Sequence, residues 1–376
     1  MSVGRSVMLS IPMVLMLMTA IFGRGLPENL TDQIASAITL LYLSSIFFLM
    51  LKTGQTYYYR KIFFISLAAA FAMTFIPNLI EIRGSIMFRA EDIATGNIPF
   101  CHIVIPMVII PAVLNRTIIF PGSLLEGFAS IGSMVVIWLG ATLVMGRGWC
   151  SWVCFYGGWD EGFSQIGRKP KIKTINPRWR IVSWILFGII ILFSALSLTP
   201  LYCKWLCPFK TITEFAAITS PLILFQTILF VSLFLGLVII MPILTKRRTQ
   251  CTFLCPMSTF QSLFNKINIF DIRIDQSKCI HCGNCIRQCP TLSIDEPSLS
   301  AGKTLISCTK CGRCVDICPS HAVHYHLKGT PIGFSPRMVR NVFIYSSFLF
   351  GAFMASGMIS NALVRIIKLI TTGTIF

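Results

Sequence analysis

Charge is what this chain has little of. Only 12% of its 376 residues are Asp, Glu, Lys or Arg, against about 25% in a typical soluble domain. Acids are scarcest: 14, facing 32 Lys and Arg, for a formal charge of +18. That balance excludes a disordered chain, a coiled coil and an ordinary cytosolic enzyme. No DNA-binding or signalling module is visible, so no nucleic-acid partner is expected from the basic excess. Apolar residues fill the space instead, 55% of the chain, with a mean hydropathy of +0.75.

A helix that crosses a bilayer needs about 20 mainly apolar residues. Seven segments qualify, at roughly 7–23, 34–51, 62–80, 128–146, 181–198, 222–244 and 342–361. The first follows a single basic residue, Arg5, and no small-x-small cleavage site follows it, so it reads as an anchor. The basic residues flank these runs. Lys52, Arg60 and Lys61 stand without an acid in 52–61, six basic residues stand without one in 168–180, and 246–248 is Lys-Arg-Arg. The alternate loops are nearly balanced. The positive-inside rule then places the N-terminus and all three basic loops in the cytoplasm of a prokaryotic inner membrane, and the C-terminus outside. Residues 100–121 are apolar but broken by Pro106 and Pro111. A full span there would invert the orientation upstream, so they read as a re-entrant hairpin on the outer side.

Residues 271–327 change character and repeat internally. Cys279, Cys282, Cys285 and Cys289-Pro290 form one run; Cys308, Cys311, Cys314 and Cys318-Pro319 form the second. This is the spacing of bacterial two-cluster ferredoxins, in which the fourth cysteine of each run ligates the other cluster. Three thiolates on a tight loop hold three corners of a cubane, and the fourth must come from elsewhere. Cys279, Cys282, Cys285 and Cys318 are thus expected on one [4Fe–4S] cluster, and Cys308, Cys311, Cys314 and Cys289 on the other. Gly283 and Gly312 let the backbone approach closely. Lys278, Lys310 and Arg313 beside these cysteines either raise a cluster's potential and steer an acidic partner or form a solvated basic face. His321, His324 and His326 read as a polar strand closing the insert. The expected fold is an α-helical polytopic membrane protein of about seven transmembrane helices plus the re-entrant hairpin, carrying a small α+β two-[4Fe–4S] insert. Its parts are 1–127 (N-terminal helices and outer segment), 128–270 (membrane core), 271–327 (ferredoxin domain) and 328–376 (C-terminal helix and tail).

Three CxxxC pairs follow apolar runs: Cys150/Cys154, Cys203/Cys207 and Cys251/Cys255. A spacing of four puts two sulfurs on one helical face. One pair cannot complete a four-thiolate site, so two must meet. The orientation pairs Cys150/Cys154 with Cys251/Cys255 on the cytoplasmic side, where they are expected to hold a third Fe–S cluster at the membrane surface beneath the insert. Cys203 and Cys207 fall on the opposite side with Cys101 and His102. Those four form a candidate outer metal or Fe–S site, with a Cys203–Cys207 disulfide as the competing reading. The hydrocarbon core is about 30 Å thick, so an outer centre would complete a transmembrane relay. Trp149, Trp152, Trp159, Tyr202 and Trp205 fit interfacial aromatic belts, and no quinone-binding residue is legible.

The combination of GRGWCSWVC (147–154), RRTQCTFLCP (247–256) and the two ferredoxin runs resembles the membrane iron–sulfur family typified by NapH, the quinol dehydrogenase subunit of periplasmic nitrate reduction systems, and including the membrane halves of NosR. The resemblance covers roughly 128–327. Phe155 stands where the first motif usually has Pro, Cys203/Cys207 looks like an addition, and the first 125 residues exceed the NapH-like plan. The resemblance implies oxidation of membrane quinol and stepwise relay of single electrons through [4Fe–4S] clusters to partner redox proteins or subunits of a larger complex. An assembly or maturation factor that supplies electrons to a metalloenzyme is the alternative it leaves open.

Overall fold

The computed structural model describes residues 2–23, 25–83, 101–115, 131–173, 175–213, 218, 220–332 and 334–374. The apolar runs form helices. In chain order these are α1 (Val3–Phe22), α2 (Leu30–Thr53), α3 (Thr56–Arg83), α4 (Ile105–Asn115), α5 (Ile131–Met145), α6 (Trp149–Trp152), α7 (Phe155–Ser164), α8 (Arg180–Ser197), α9 (Pro221–Thr245), α10 (Thr249–Phe253) and α11 (Pro256–Phe264). Strands β1 (Phe270–Ile274) and β2 (Val323–Leu327) follow, then α12 (Pro336–Thr372).

Among the described residues, six helices are long and apolar enough to cross a membrane: α1, α2, the Thr56–Pro77 part of α3, α8, α9 and α12. Of the expected span at 128–146, residues Ile131–Met145 form α5; residues 128–130 lie outside the described residues. The last span runs to 37 residues, well beyond the expected 342–361. Of the expected re-entrant hairpin, residues 101–115 form a short 3-10 turn leading into α4; residues 100 and 116–121 lie outside the described residues.

Helix α12 packs against α1, α2, α3 and α5, and α3 also packs against α7. The buried apolar core follows these contacts. Phe47, Phe63 and Phe348 meet with ring centroids 5.0 to 5.2 Å apart, and all three are fully buried. Between β1 and β2 the chain folds into a small α+β unit. The strands pair antiparallel, Phe270 opposite Leu327 and Ile274 opposite Val323, which places His324 and His326 in the closing strand.

This unit sits on one end of the bundle. Tyr57 N, at the start of α3, donates to Asp316 at 2.6 Å. Arg180, at the start of α8, donates to Leu292 O at 2.8 Å and pairs with Asp295 at 2.7 Å. Phe343 of α12 stacks on Tyr325 of β2 at 4.7 Å. The basic segments 52–61, 168–180 and 246–248 therefore gather at one end of the molecule. Arg60 is an exception to the loop reading: it is inside α3 and fully buried.

Candidate iron–sulfur centres

The two cysteine runs of the α+β unit cross over as their spacing predicts. Cys279, Cys282, Cys285 and Cys318 line one cavity; Cys289, Cys308, Cys311 and Cys314 line another. Each run turns sharply before its short helix. His281 and Lys310 have φ of +50° and +51°, and Gly283 and Gly312, at +68° and +85°, follow two residues later. Successive left-handed turns curl each loop around its cavity, and glycine supplies the second at no steric cost. Burial pushes the Cys311 thiol up to about 12. A buried thiol of that kind is deprotonated by ligation to a cation, so the donor set fits a metal cluster.

The two cavities differ in depth. In the first set Cys282 is exposed and only Cys285 is buried, whereas in the second Cys289 and Cys311 are buried and none is exposed. The second set faces the helix bundle. Lys310 is only 2% exposed; its ammonium donates to Met145 O at 3.1 Å and to Asn265 Oδ1 at 2.6 Å. It is a docking residue rather than part of a solvated basic face. Arg313 extends to Tyr57 Oη at 3.4 Å, and Lys278 pairs with Asp275 at 3.0 Å near the surface.

Inside the bundle, Cys150, Cys154, Cys251 and Cys255 line a single small enclosed cavity with His102, Trp149, Gln250 and Ser258. The two CxxxC pairs meet, but their geometry departs from the expectation in two ways. Neither pair lies on one continuous helix. Cys150 is in α6, and Cys154, with extended backbone at φ −73° and ψ 105°, is the N-cap of α7. Cys251 is in α10 and Cys255, at φ −72° and ψ 115°, is the N-cap of α11. The break lets the chain reverse, so both motifs are re-entrant.

The site is consequently inside the bundle instead of at its surface. Phe155 stacks on Phe71 at 3.9 Å, and Phe71 is fifteen residues into α3, about 22 Å along the helix. Helix α11 runs beside α5 and α8, with Phe260 stacked on Trp138 at 5.5 Å and on Phe187 at 6.2 Å. Both α7 and α11 direct their N-termini, the positive ends of their dipoles, toward the cavity, a placement that favours an anionic occupant. A π-helical stretch in α9, Phe234–Ile240, carries Leu237, whose carbonyl accepts from Thr249 Oγ1 at 2.6 Å.

The polar groups around the cavity repeat with the motifs. Arg147 and Arg248 each stand three residues before the first cysteine of a pair, and each reaches across to the other pair. Arg147 Nη2 donates to Cys251 O at 3.3 Å, and Arg248 Nη2 to Cys150 O at 2.6 Å. Arg248 also donates to Cys251 Sγ at 3.2 Å, and Arg147 reaches the Cys150 thiol. Asp160 clamps the start of α10, accepting from Thr249 N at 3.1 Å and Cys251 N at 2.9 Å. Glu161 pairs with Arg60 at 3.1 Å and Arg248 at 3.8 Å, all three fully buried. Arg147 Nε, Arg248 Nε and Trp149 Nε1 are buried without a hydrogen-bond partner. Four thiols and unpartnered N–H donors around one enclosed space fit a thiolate-ligated cluster, whose sulfurs accept such bonds. Sequence reasoning passed over these arginines and acids. Their signal was the repeated Arg-x-x-Cys spacing and an Asp-Glu pair in an apolar stretch of a chain with few acids.

The residues expected at a separate outer site touch this one. His102 Nε2 lies 3.0 Å from Cys154 Sγ. Cys101 Sγ is 4.0 Å from Tyr156 Oη, and Tyr156 packs on Phe209 at 4.2 Å, two residues past Cys207. Tyr202, beside Cys203, accepts from Gln250 Nε2 at 3.1 Å. Cys101, His102 and the 202–209 segment therefore abut the re-entrant motifs, with no membrane thickness between them, and His102 is turned to the inner thiols instead of serving a Cys101/Cys203/Cys207 set.

Four thiols about each of two cavities in a β-paired unit, tied to a bundle of apolar helices, define an iron–sulfur protein of the ferredoxin type. Comparison with known proteins agrees. The 4Fe-4S dicluster domain family matches residues 271–319. A second family, described as a 4Fe-4S binding domain, matches three times, over 127–173, 179–226 and 226–274, with one CxxxC pair near the middle of each match. The chain is 26% identical over 184 residues to a protein of Escherichia coli (strain K12) named "Putative electron transport protein YccM", covering 45% of this chain and 48% of that one. It is 27% identical over 183 residues to the methylamine utilization ferredoxin-type protein MauN of Methylobacillus flagellatus, covering 48% and 61%. The chain thus spans about half to three fifths of the length of these relatives. No solved structure matches it.

Proposed function

We propose that the chain is a membrane electron-transfer protein that oxidises quinol and relays electrons one at a time through [4Fe–4S] clusters to a partner redox protein. One observation carries the reading: the cysteine sets form a graded series, from the Cys279 set, which includes the exposed Cys282, through the Cys308 set, which has no exposed cysteine, to the four buried thiols inside the bundle. Chain groups connect the last two. Arg147 Nη1 donates to Ser307 O at 2.8 Å, Arg247 Nη1 to Cys289 O at 2.6 Å and Arg248 N to Pro290 O at 2.8 Å. The names of the relatives, electron transport and ferredoxin-type, point the same way.

In this reading Cys150, Cys154, Cys251 and Cys255 hold a third iron–sulfur cluster. Bound clusters supply one-electron carriers that split the electron pair of a two-electron donor. The residues of the chain do the rest. Arg147 and Arg248 direct N–H donors at the thiols, Asp160 fixes the α10 turn, and the apolar walls exclude water. The basic end of the bundle, with the ferredoxin unit on it, is the cytoplasmic end of a prokaryotic inner membrane. Cys101, Cys203 and Cys207 extend the thiol series beyond the inner site as a further metal, cluster or disulfide position.

Iron and sulfide per chain, paired with EPR, test the reading. Two [4Fe–4S] clusters hold eight iron atoms and three hold twelve. Anaerobically purified protein is expected to carry the larger number, and a Cys251→Ser/Cys255→Ser variant to lose one cluster while keeping the two ferredoxin signals. Eight iron atoms in the parent protein would remove the inner cluster. A quinol analogue that reduces no centre would remove the quinol step.

A further inference from the structure

The two motif arginines are related by position and by their crossed bonds, yet they differ in charge partner. Arg248 faces Glu161 at 3.8 Å. Arg147 has no carboxylate within ion-pair distance among the described residues, although it is only 4% exposed. Its guanidinium is spread over neutral acceptors: Ser307 O at 2.8 Å, Cys251 O at 3.3 Å and Ser258 Oγ. Its Nε has no acceptor. A buried cation of this kind is costly unless an anion lies nearby, and protein side chains supply none. What does lie nearby is cysteine sulfur on both sides, which carries negative charge once it ligates a cluster. Ser307 adjoins Cys308, a ligand of the second ferredoxin set, and Cys251 and Cys150 belong to the inner four-thiolate set.

We propose that Arg147 is a shared cationic bridge, balancing the negative charge of the Cys308-set cluster and of the inner centre at once, so that one residue sets both reduction potentials. The proposal rests on the inner centre of the functional reading above. A cation beside a cluster favours the reduced, more negative state, and a guanidinium shared by two clusters favours it in both. Arg147 acts on the clusters through charge and position and touches no substrate. Arg248, already balanced by Glu161, is not expected to act so evenly.

Redox titration of each centre followed by EPR, on the purified full-length protein, tests this. In Arg147→Gln the Cys308-set cluster and the inner centre should both become at least tenfold harder to reduce, a fall of 59 mV or more for a one-electron step. The Cys279-set cluster, which Arg147 does not contact, is the internal control and should keep its potential. If Arg147→Gln fails to assemble its iron, Arg147→Lys is read instead. It keeps the charge but loses the fork, and both potentials should fall by a smaller amount. A shift in only one of the two centres, in none, or in all three alike would overturn the bridge. If the parent protein holds only two clusters by iron count, the bridge falls together with the inner centre, and the iron count distinguishes that failure from an absent shift.

Discussion

The buried triad Arg60–Glu161–Arg248 offers the sharpest test of how the site is held. All three side chains are fully buried, with Glu161 at 3.1 Å from Arg60 and 3.8 Å from Arg248 and accepting from Tyr57 Oη at 2.9 Å. Glu161→Gln keeps the shape and removes the carboxylate that pairs with Arg60 and Arg248. Breaking a buried pair from one side costs about 3–5 kcal/mol, because the partner is left as an uncompensated charge. Gln Oε1 still accepts from Tyr57, so that bond adds little to the loss. At about 2 °C per kcal/mol for a chain at the large end of the usual range, the apparent Tm should fall by about 6–10 °C.

Thermal unfolding in detergent, followed by loss of the iron–sulfur absorbance and by scattering, measures this. A second variant separates lost attraction from leftover charge. Adding Arg60→Met to Glu161→Gln removes one of the stranded cations, so the double variant should be more stable than Glu161→Gln alone. The reasoning fails if Glu161→Gln melts within about 1 °C of the parent protein. It also fails if Arg60→Met and Glu161→Gln simply add, since residues in direct contact should couple by about 0.5–3 kcal/mol.

Two further outcomes follow from local geometry. A Cβ at Gly283 would meet only the end of the Arg287 side chain, at 3.2 Å, whereas one at Gly312 would sit 2.8 Å from Tyr325 Oη and 3.2 Å from Thr56. Gly283→Ala should therefore cost only the left-handed backbone penalty, about 1–2 kcal/mol, while Gly312→Ala adds a clash at the docking face and should lose more stability and more iron in the same unfolding assay. At the other docking contact, burial pushes the Asp295 carboxyl up, but the hydrogen bond from Arg180 with those from Ser298 holds it below the usual carboxylate value. Its folded value thus lies below its unfolded one, about 3.9. The contact stabilises fully above that value and is lost as pH falls through the folded value, so Asp295→Asn should lower stability at neutral pH, change it little below the folded value, and thereby flatten the acid limb of a stability–pH profile.

How much was legible in the sequence depended on whether the chemistry was local. The ferredoxin runs carry their geometry in their spacing, and the cavities group the eight cysteines as the crossed pattern requires. The convergence of Cys150/Cys154 with Cys251/Cys255 followed from counting thiols together with the orientation that the basic loops predict. Depth did not. A spacing of four suggests one helical face, but Val153 and Leu254 end their short helices and the chain turns back into the bundle, a reversal with no composition signal. The same blind spot separated His102 from Cys154, because hydropathy does not show the contact between them. Arg60 was counted as a loop charge for the same reason: the positive-inside rule weighs charges but does not see that Glu161, a hundred residues on, buries one of them.

The three matches to one domain family sharpen what makes the inner site. Three copies bring three CxxxC pairs, yet only two line the cavity. The difference is visible one turn upstream. Arg147 and Arg248 stand three residues before Cys150 and Cys251, and Pro200 stands three residues before Cys203. Proline has no side-chain donor to send across to a facing motif. The middle copy has no arginine at that position to exchange with a neighbour, and what it contributes is a tyrosine: Tyr202, immediately before Cys203, accepts from Gln250 of the second paired motif. The pairing of the first and last copies is then a matter of reciprocal arginine–carbonyl bonds as much as of sulfur, and the middle copy packs beside the cavity that the other two line.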